Sequence, residues 1–106
     1  MGVAAASALI LIQAPAANAA TKSTWAEESV RIRAKTTTAS TALGLLPKGA
    51  KAASVVDGDG SYKLYVGGTH NACDSKGYSQ SKHWQKVTYK GITGYVPWPC
   101  MLPFKP

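Results

Sequence analysis

The chain reads as all-β: a small barrel of five to seven short strands that carries an extra disulfide-tethered loop. Three observations predict this. No segment sustains the i, i+3, i+4 apolar spacing of an amphipathic helix. Apolar residues instead alternate with polar ones in short runs, as in Val30-Arg31-Ile32-Arg33. Turn-forming residues, such as Pro47-Lys48-Gly49, Asp57-Gly58-Asp59-Gly60 and Lys90-Gly91, separate those runs at close intervals.

Residues 1–19 read as a secretion signal. Val3 to Ile12 is an apolar run, Gln13 and Pro15 interrupt it, and Ala17-Asn18-Ala19 offers a small-x-small cleavage site. A membrane span needs about 20 apolar residues, so this run is too short to be one. Met1-Gly2 departs from the usual pattern, because no Lys or Arg leads the run. The expected location is secreted or extracellular, with wall association as one form of it. Residues 20–29 are polar and read as a flexible lead-in, with Trp25 able to dock on the domain. The folded domain is expected over 30–106.

Within it, Val30 to Arg33 is a half-buried strand with Val30 and Ile32 inward. Thr36 to Thr41 is a polar loop. Leu43 to Leu46 is an apolar run closed by Pro47-Lys48-Gly49, and Lys51 to Val56 is the next strand. Asp57 to Gly60 is a hairpin turn, and Tyr62 to Val66 alternates as a strand. Gly67 to Lys82 is a long loop rich in Gly and Ser. His83 to Tyr89 and Ile92 to Val96 are strands, followed by a short proline-bounded tail. The expected inward set is Val30, Ile32, Leu43, Leu46, Val55, Leu64, Val87, Ile92 and Val96. Short strands with tight turns curl to hide their edges, and that gives a small barrel.

Cys73 and Cys100 are the chain's two cysteines. In an exported chain the default reading of an even count is a disulfide. It would tether the 67–82 loop to the tail and add about 3.5 kcal/mol by chain entropy. Two unlinked thiols are the competing reading. No Cys-x-x-Cys or Cys/His cluster supports a metal site.

The residues from Val30 onward resemble bacterial SH3-like (SH3b) domains. The first half, Val30-Arg31-Ile32-Arg33, a Thr-rich loop, then Leu43-Gly44-x-Leu46-x-Lys48-Gly49, is similar to the family's opening strands. The second half, Trp84-x-Lys86-Val87, Tyr89-Lys90-Gly91 and Thr93-Gly94-Tyr95-Val96, resembles its "W-x-K-V … G-x-x-G-Y-V" ending. The likeness covers about residues 30 to 103. The chain departs from the family at Ala34 to Thr37, where a Gly-Pro-like element is usual, in the extra stretch Tyr62 to Lys82, and in its cysteine pair. The resemblance implies an SH3-like barrel that binds cell-wall peptidoglycan or a wall peptide.

Enzymatic readings find few ingredients. Ser79-Gln80-Ser81-Lys82 matches a Ser-x-x-Lys nucleophile motif, but it sits in a Gly/Ser loop without partner motifs. His70 or His83 could activate Cys73 only if that thiol were free. Asp57-x-Asp59-Gly60 lacks the further oxygen ligands of a calcium loop. The expectation is a protein that is not an enzyme and takes no cofactor. A binding surface is better supplied. If Val87 faces the core, strand alternation turns Trp84 and Lys86 outward. Tyr95 turns outward opposite Val96, and Trp98 follows closely. Trp84, Lys86, Tyr95 and Trp98 would line an aromatic groove with a basic edge; the competing reading has Trp84 and Trp98 capping the barrel or covering the disulfide. The net charge of +7 favours anionic partners. The first expected partner is the cell wall. The alternative is an acidic protein docked on the basic surface and the 67–82 loop, as for a secreted interaction or inhibitor-type factor. The lysines are dispersed and form no dense block of the kind that marks nucleic-acid tails, so nucleic acid is not an expected partner; no membrane span is expected after signal removal.

Overall fold

Eight antiparallel strands form one curled sheet: β1 Thr21–Ala26, β2 Val30–Arg33, β3 Ala42–Leu46, β4 Lys51–Val55, β5 Tyr65–His70, β6 Ser81–Tyr89, β7 Ile92–Pro97 and β8 Met101–Leu102. A single 3-10 turn, Trp98–Cys100, joins β7 to β8. This computed structural model describes residues 19–73 and 81–106. The expected signal segment, apart from Ala19, lies outside the described residues, as do residues 74–80 of the expected long loop. No helix among the described residues is long and apolar enough to cross a membrane.

The strand order is β3-β2-β7-β6-β4-β1-β8, with β5 added alongside β6. The all-β class is as expected. Among the described residues the strands number eight rather than five to seven, and no ladder joins β3 to β8, so hydrogen bonding leaves the sheet unclosed. The longest strand, β6, is its hub. One edge pairs with β7 from Trp84↔Pro97 to Tyr89↔Ile92. The other edge pairs first with β5, at Tyr65↔Trp84, and then with β4, at Ser54↔Val87.

The core fills the inner face of the sheet. Ile32, Leu46, Val87 and Val96 are its largest fully buried aliphatic side chains, with Ala26, Val30, Ala52, Cys100 and Met101 around them. Alternation explains this set: Val30 and Ile32 face in while Arg31 and Arg33 face out. Gly44 and Gly94 let the strands approach closely. A Cβ on Gly44 would lie 2.7 Å from Cδ1 of Ile92, and one on Gly94 would lie 2.6 Å from the Arg33 carbonyl oxygen.

Three expectations are corrected. The expected lead-in, 20–29, contains β1, which pairs with β4 over Thr21↔Val55 to Trp25↔Lys51 and with β8. Its buried positions are the small Ala26 and the polar Thr24, whose hydroxyl donates to the Leu102 carbonyl at 2.9 Å. That bond meets the cost of burying a polar group, so the strand shows no apolar alternation. The expected strand Tyr62 to Val66 is displaced: Tyr62 makes one bridge to Val56, and β5 itself runs on through Gly67, Gly68 and Thr69 to His70. Finally, Leu43 and Leu64 are 45% and 38% exposed. Leu43 falls where the β2–β3 register slips between Ile32 and Arg33, and Leu64 precedes β5. Val55 and Ile92 are half-buried rather than central.

Cys73 and Cys100 are joined, with their Cα atoms 5.3 Å apart. The bond ties the end of the segment after β5 to the 3-10 turn.

Candidate functional site

Trp84 lies on the face of β6 opposite Val87, as alternation requires, yet it is 0% exposed. The outward placement holds for the strand face but not for exposure, because β5 folds over it. The β5–β6 register slips between Val66 and His70, and the bulge crosses the indole. Trp84 Nε1 donates to the Gly68 carbonyl at 3.0 Å. The His70 ring packs edge-on against it, with centroids 4.8 Å apart, and His70 Nε2 lies 3.0 Å from the His83 carbonyl oxygen. The loop after β2 secures the bulge from the other side: Gly68 N–H donates to the Thr36 carbonyl at 2.7 Å. Gly67 is required there, since a Cβ would collide with the Thr36 side chain and carbonyl. An exposed Trp was expected; a buried Trp that pins β5 to β6 is found.

Lys86 and Tyr95 do come together. They are register partners on β6 and β7, and paired residues share a face. Lys86 Nζ lies 5.9 Å from the centroid of the Tyr95 ring. Across β6, Tyr65 reaches the same place from β5. The Tyr65 and Tyr95 rings meet edge to face, 5.3 Å between centroids and 76° between planes, the geometry that aromatic quadrupoles favour. Lys63 Nζ lies 5.2 Å from the Tyr65 centroid. A cleft of about 300 Å³, bounded by Ala34, Lys35, Thr36, Tyr65, Val66 and Tyr95, opens beside the two rings. No acidic residue borders it among the described residues. Val66, at its rim, is 71% exposed.

Trp98 is elsewhere. It borders a second cleft of about 260 Å³ with Thr24, Tyr62, Gln85 and Met101, and its ring contacts His83 at 6.1 Å. His83 and Gln85 share the face of β6 opposite Trp84. The four expected groove residues are therefore divided: Lys86 and Tyr95 at one site, Trp84 buried beside it, and Trp98 across the sheet. Within the second cleft, Gln85 Nε2 donates to Ser54 Oγ at 3.0 Å. Tyr62 donates its hydroxyl proton to the Ser23 carbonyl at 2.5 Å, and burial raises its pKa from the ordinary tyrosine value.

The other candidate motifs have structural roles or lie outside the described residues. Cys73 is bonded to Cys100 and offers no thiolate to His70 or His83. Ser79 lies outside the described residues. Asp57 to Gly60 is a turn: Gly60 N–H donates to the Asp57 carbonyl at 2.9 Å, and Ser61 N–H donates to Asp59 Oδ1 at 2.9 Å. The Ser61 hydrogen bonds hold the Asp59 carboxyl below its usual pKa. No group of three or more His, Cys, Asp or Glu side chains able to hold a metal occurs among the described residues.

Tyr65 is the site residue that sequence reading missed. Its alternation is visible, but its place beside Tyr95 depends on the pairing of β5 with β6, Tyr65↔Trp84, which joins residues far apart in sequence. Comparison with protein families, curated proteins and solved structures gives no match.

Proposed function

We propose that this protein is a secreted, non-catalytic binding module that holds a cell-envelope ligand, peptidoglycan or a wall peptide, against the Tyr65–Tyr95 face. One observation carries the reading: two tyrosine rings in edge-to-face contact lie within reach of Lys63 and Lys86 and line a cleft with no acidic wall among the described residues. Aromatic faces with a few placed polar groups suit peptides and sugars. Lysines beside them draw an anionic ligand and fix its position. The signal-like segment 1–19 and the SH3b resemblance of the second half support an envelope target. Lys86 and Tyr95 belong to the motif that carries that resemblance.

The test is co-sedimentation of the oxidised protein with purified peptidoglycan at low and high salt, beside Tyr95→Ala. Pelleting that persists at high salt and is lost in Tyr95→Ala supports the reading. Pelleting that vanishes with salt in the parent protein, or persists in Tyr95→Ala, overturns it. A salt-labile result would direct the search to an acidic protein partner.

A further inference from the structure

We infer that the group recognised at the Tyr65–Tyr95 face is a peptide carboxylate next to a small apolar residue, the carboxylate facing Lys63 and Lys86 and the apolar residue seated in the cleft beside Val66. This rests on the binding reading above and specifies its ligand chemistry.

The charge arrangement is the first argument. Lys63, in the segment before β5, and Lys86, on β6, are far apart in sequence, yet each ammonium group lies over one ring of a single tyrosine pair. Lys35 borders the cleft beside them. Cationic side chains at one face make its potential positive, and an anion seated there is attracted by each of them. A Lys held over an aromatic face still directs N–H donors to solvent. Three donors per ammonium suit a compact oxyanion such as a carboxylate.

The cleft supplies the second argument. It is about 300 Å³, at the lower end of the range for ligand sites, so it admits a short side chain or two rather than a large ring system. Its apolar surface comes from Ala34, Val66 and the tyrosine rings, and Lys35 and Thr36 are its polar groups; Lys63 and Lys86 lie over the two rings that border it. A small apolar residue beside a carboxylate meets both. The cleft is also firmly built: Trp84, Gly68 and Thr36 are joined by hydrogen bonds of 3.0 and 2.7 Å directly alongside it. Binding there spends little on ordering the protein.

A peptide carboxylate has two sources, a free C-terminus and an acidic side chain. Their chemistry is shared, and the experiment separates them. The oxidised protein is titrated by NMR with four short peptides: Ac-Ala-Ala with a free C-terminus, the same peptide amidated, amidated Ac-Ala-Glu-Ala, and its Gln counterpart. The Trp84 indole N–H reports the site, and the Trp98 indole N–H reports the opposite face. The expected result is a shift of the Trp84 signal, with Trp98 unmoved, and dissociation constants roughly tenfold lower for at least one acidic peptide than for its neutral counterpart. The acidic peptide that shows the preference identifies the source. Lys63→Gln and Lys86→Gln should each weaken that peptide about threefold and leave its neutral counterpart unchanged.

Equal affinity for acidic and neutral peptides overturns the inference, as does a shift confined to Trp98. So does a Trp84 shift with inorganic polyphosphate while all four peptides are silent, which would assign the face to a phosphate chain. Peptidoglycan pelleting by Tyr95 is read separately. If it stands while the peptides show no preference for charge, the binding reading survives and only the carboxylate assignment falls.

Discussion

The indole N–H of Trp84 donates to the carbonyl of Gly68 at 3.0 Å, so the largest buried side chain of the domain fastens one strand over another instead of meeting a ligand. Trp84→Ala removes that bond and empties a large enclosed volume. Loss of a buried Trp costs about 3–5 kcal/mol. The variant should show a sharply lower midpoint in urea, and its loss of binding should follow its loss of fold. Trp84→Phe keeps most of the volume and should retain more stability.

Gly67→Ala tests the bulge itself. Its Cβ would collide with the Thr36 side chain and carbonyl, so the loop after β2 must withdraw. Overpacking of this kind costs about 1–3 kcal/mol. The Trp84 indole signal should move in the unliganded variant, and peptidoglycan pelleting should weaken. A variant with parent stability and an unmoved indole signal would mean that the bulge is not held in place by Thr36.

Tyr95→Ala and Trp98→Ala separate the two faces. Tyr95 is half-buried on an outer face, so its loss should cost little stability and most of the binding. Trp98→Ala should leave peptidoglycan pelleting at the parent level. The reverse pattern in the sedimentation assay would transfer the site to the cleft of Trp98, Tyr62 and Gln85.

The disulfide spans 27 residues. Replacing Cys73 and Cys100 together by Ala should cost about 3.5 kcal/mol through the added freedom of the unfolded chain, plus a smaller packing loss at Cys100. Equilibrium unfolding in urea measures it. A double variant as stable as the oxidised parent would show that the strands position the 3-10 turn unaided.

Tyr62 predicts the alkaline limb of stability. Burial raises its folded pKa above the ordinary value of 10.0, so the folded state keeps a proton that the unfolded state releases. Stability is unaffected by this group below pH about 10 and falls as pH rises past the unfolded pKa. Tyr62→Phe should flatten that fall. Thermal unfolding across pH 9 to about 11.5, with the parent alongside, tests the sign.

The strands with apolar alternation were legible. β2 follows the bounds that Val30-Arg31-Ile32-Arg33 sets, and β7 runs one residue further than Ile92 to Val96, to Pro97. β1 was not, because its inward positions hold the polar Thr24 and the small Ala26, and the Leu102 carbonyl that accepts from the Thr24 hydroxyl lies 78 positions away in sequence. The outward face of Trp84 was read correctly from its offset to Val87. Its burial was not, because the covering residues Gly67, Gly68 and His70 fall in a stretch whose composition signals a loop. Lys86 and Tyr95 are brought together by strand parity, while Tyr65 reaches them only through the long-range pairing of β5 with β6, which no local pattern encodes.

The hub position of β6 sets how the molecule opens. Its backbone is paired with β7 on one edge and with β5 and β4 on the other, so fraying of any one neighbour leaves the strand clamped from the opposite side. Its amide protons near Val87 should therefore exchange with deuterium only when the whole domain unfolds, whereas those of β3 and β8, at the ends of the sheet, exchange through local opening. Because Tyr65 and Tyr95 flank that strand on its two neighbours, a ligand held as proposed would lie across the part of the protein expected to open last.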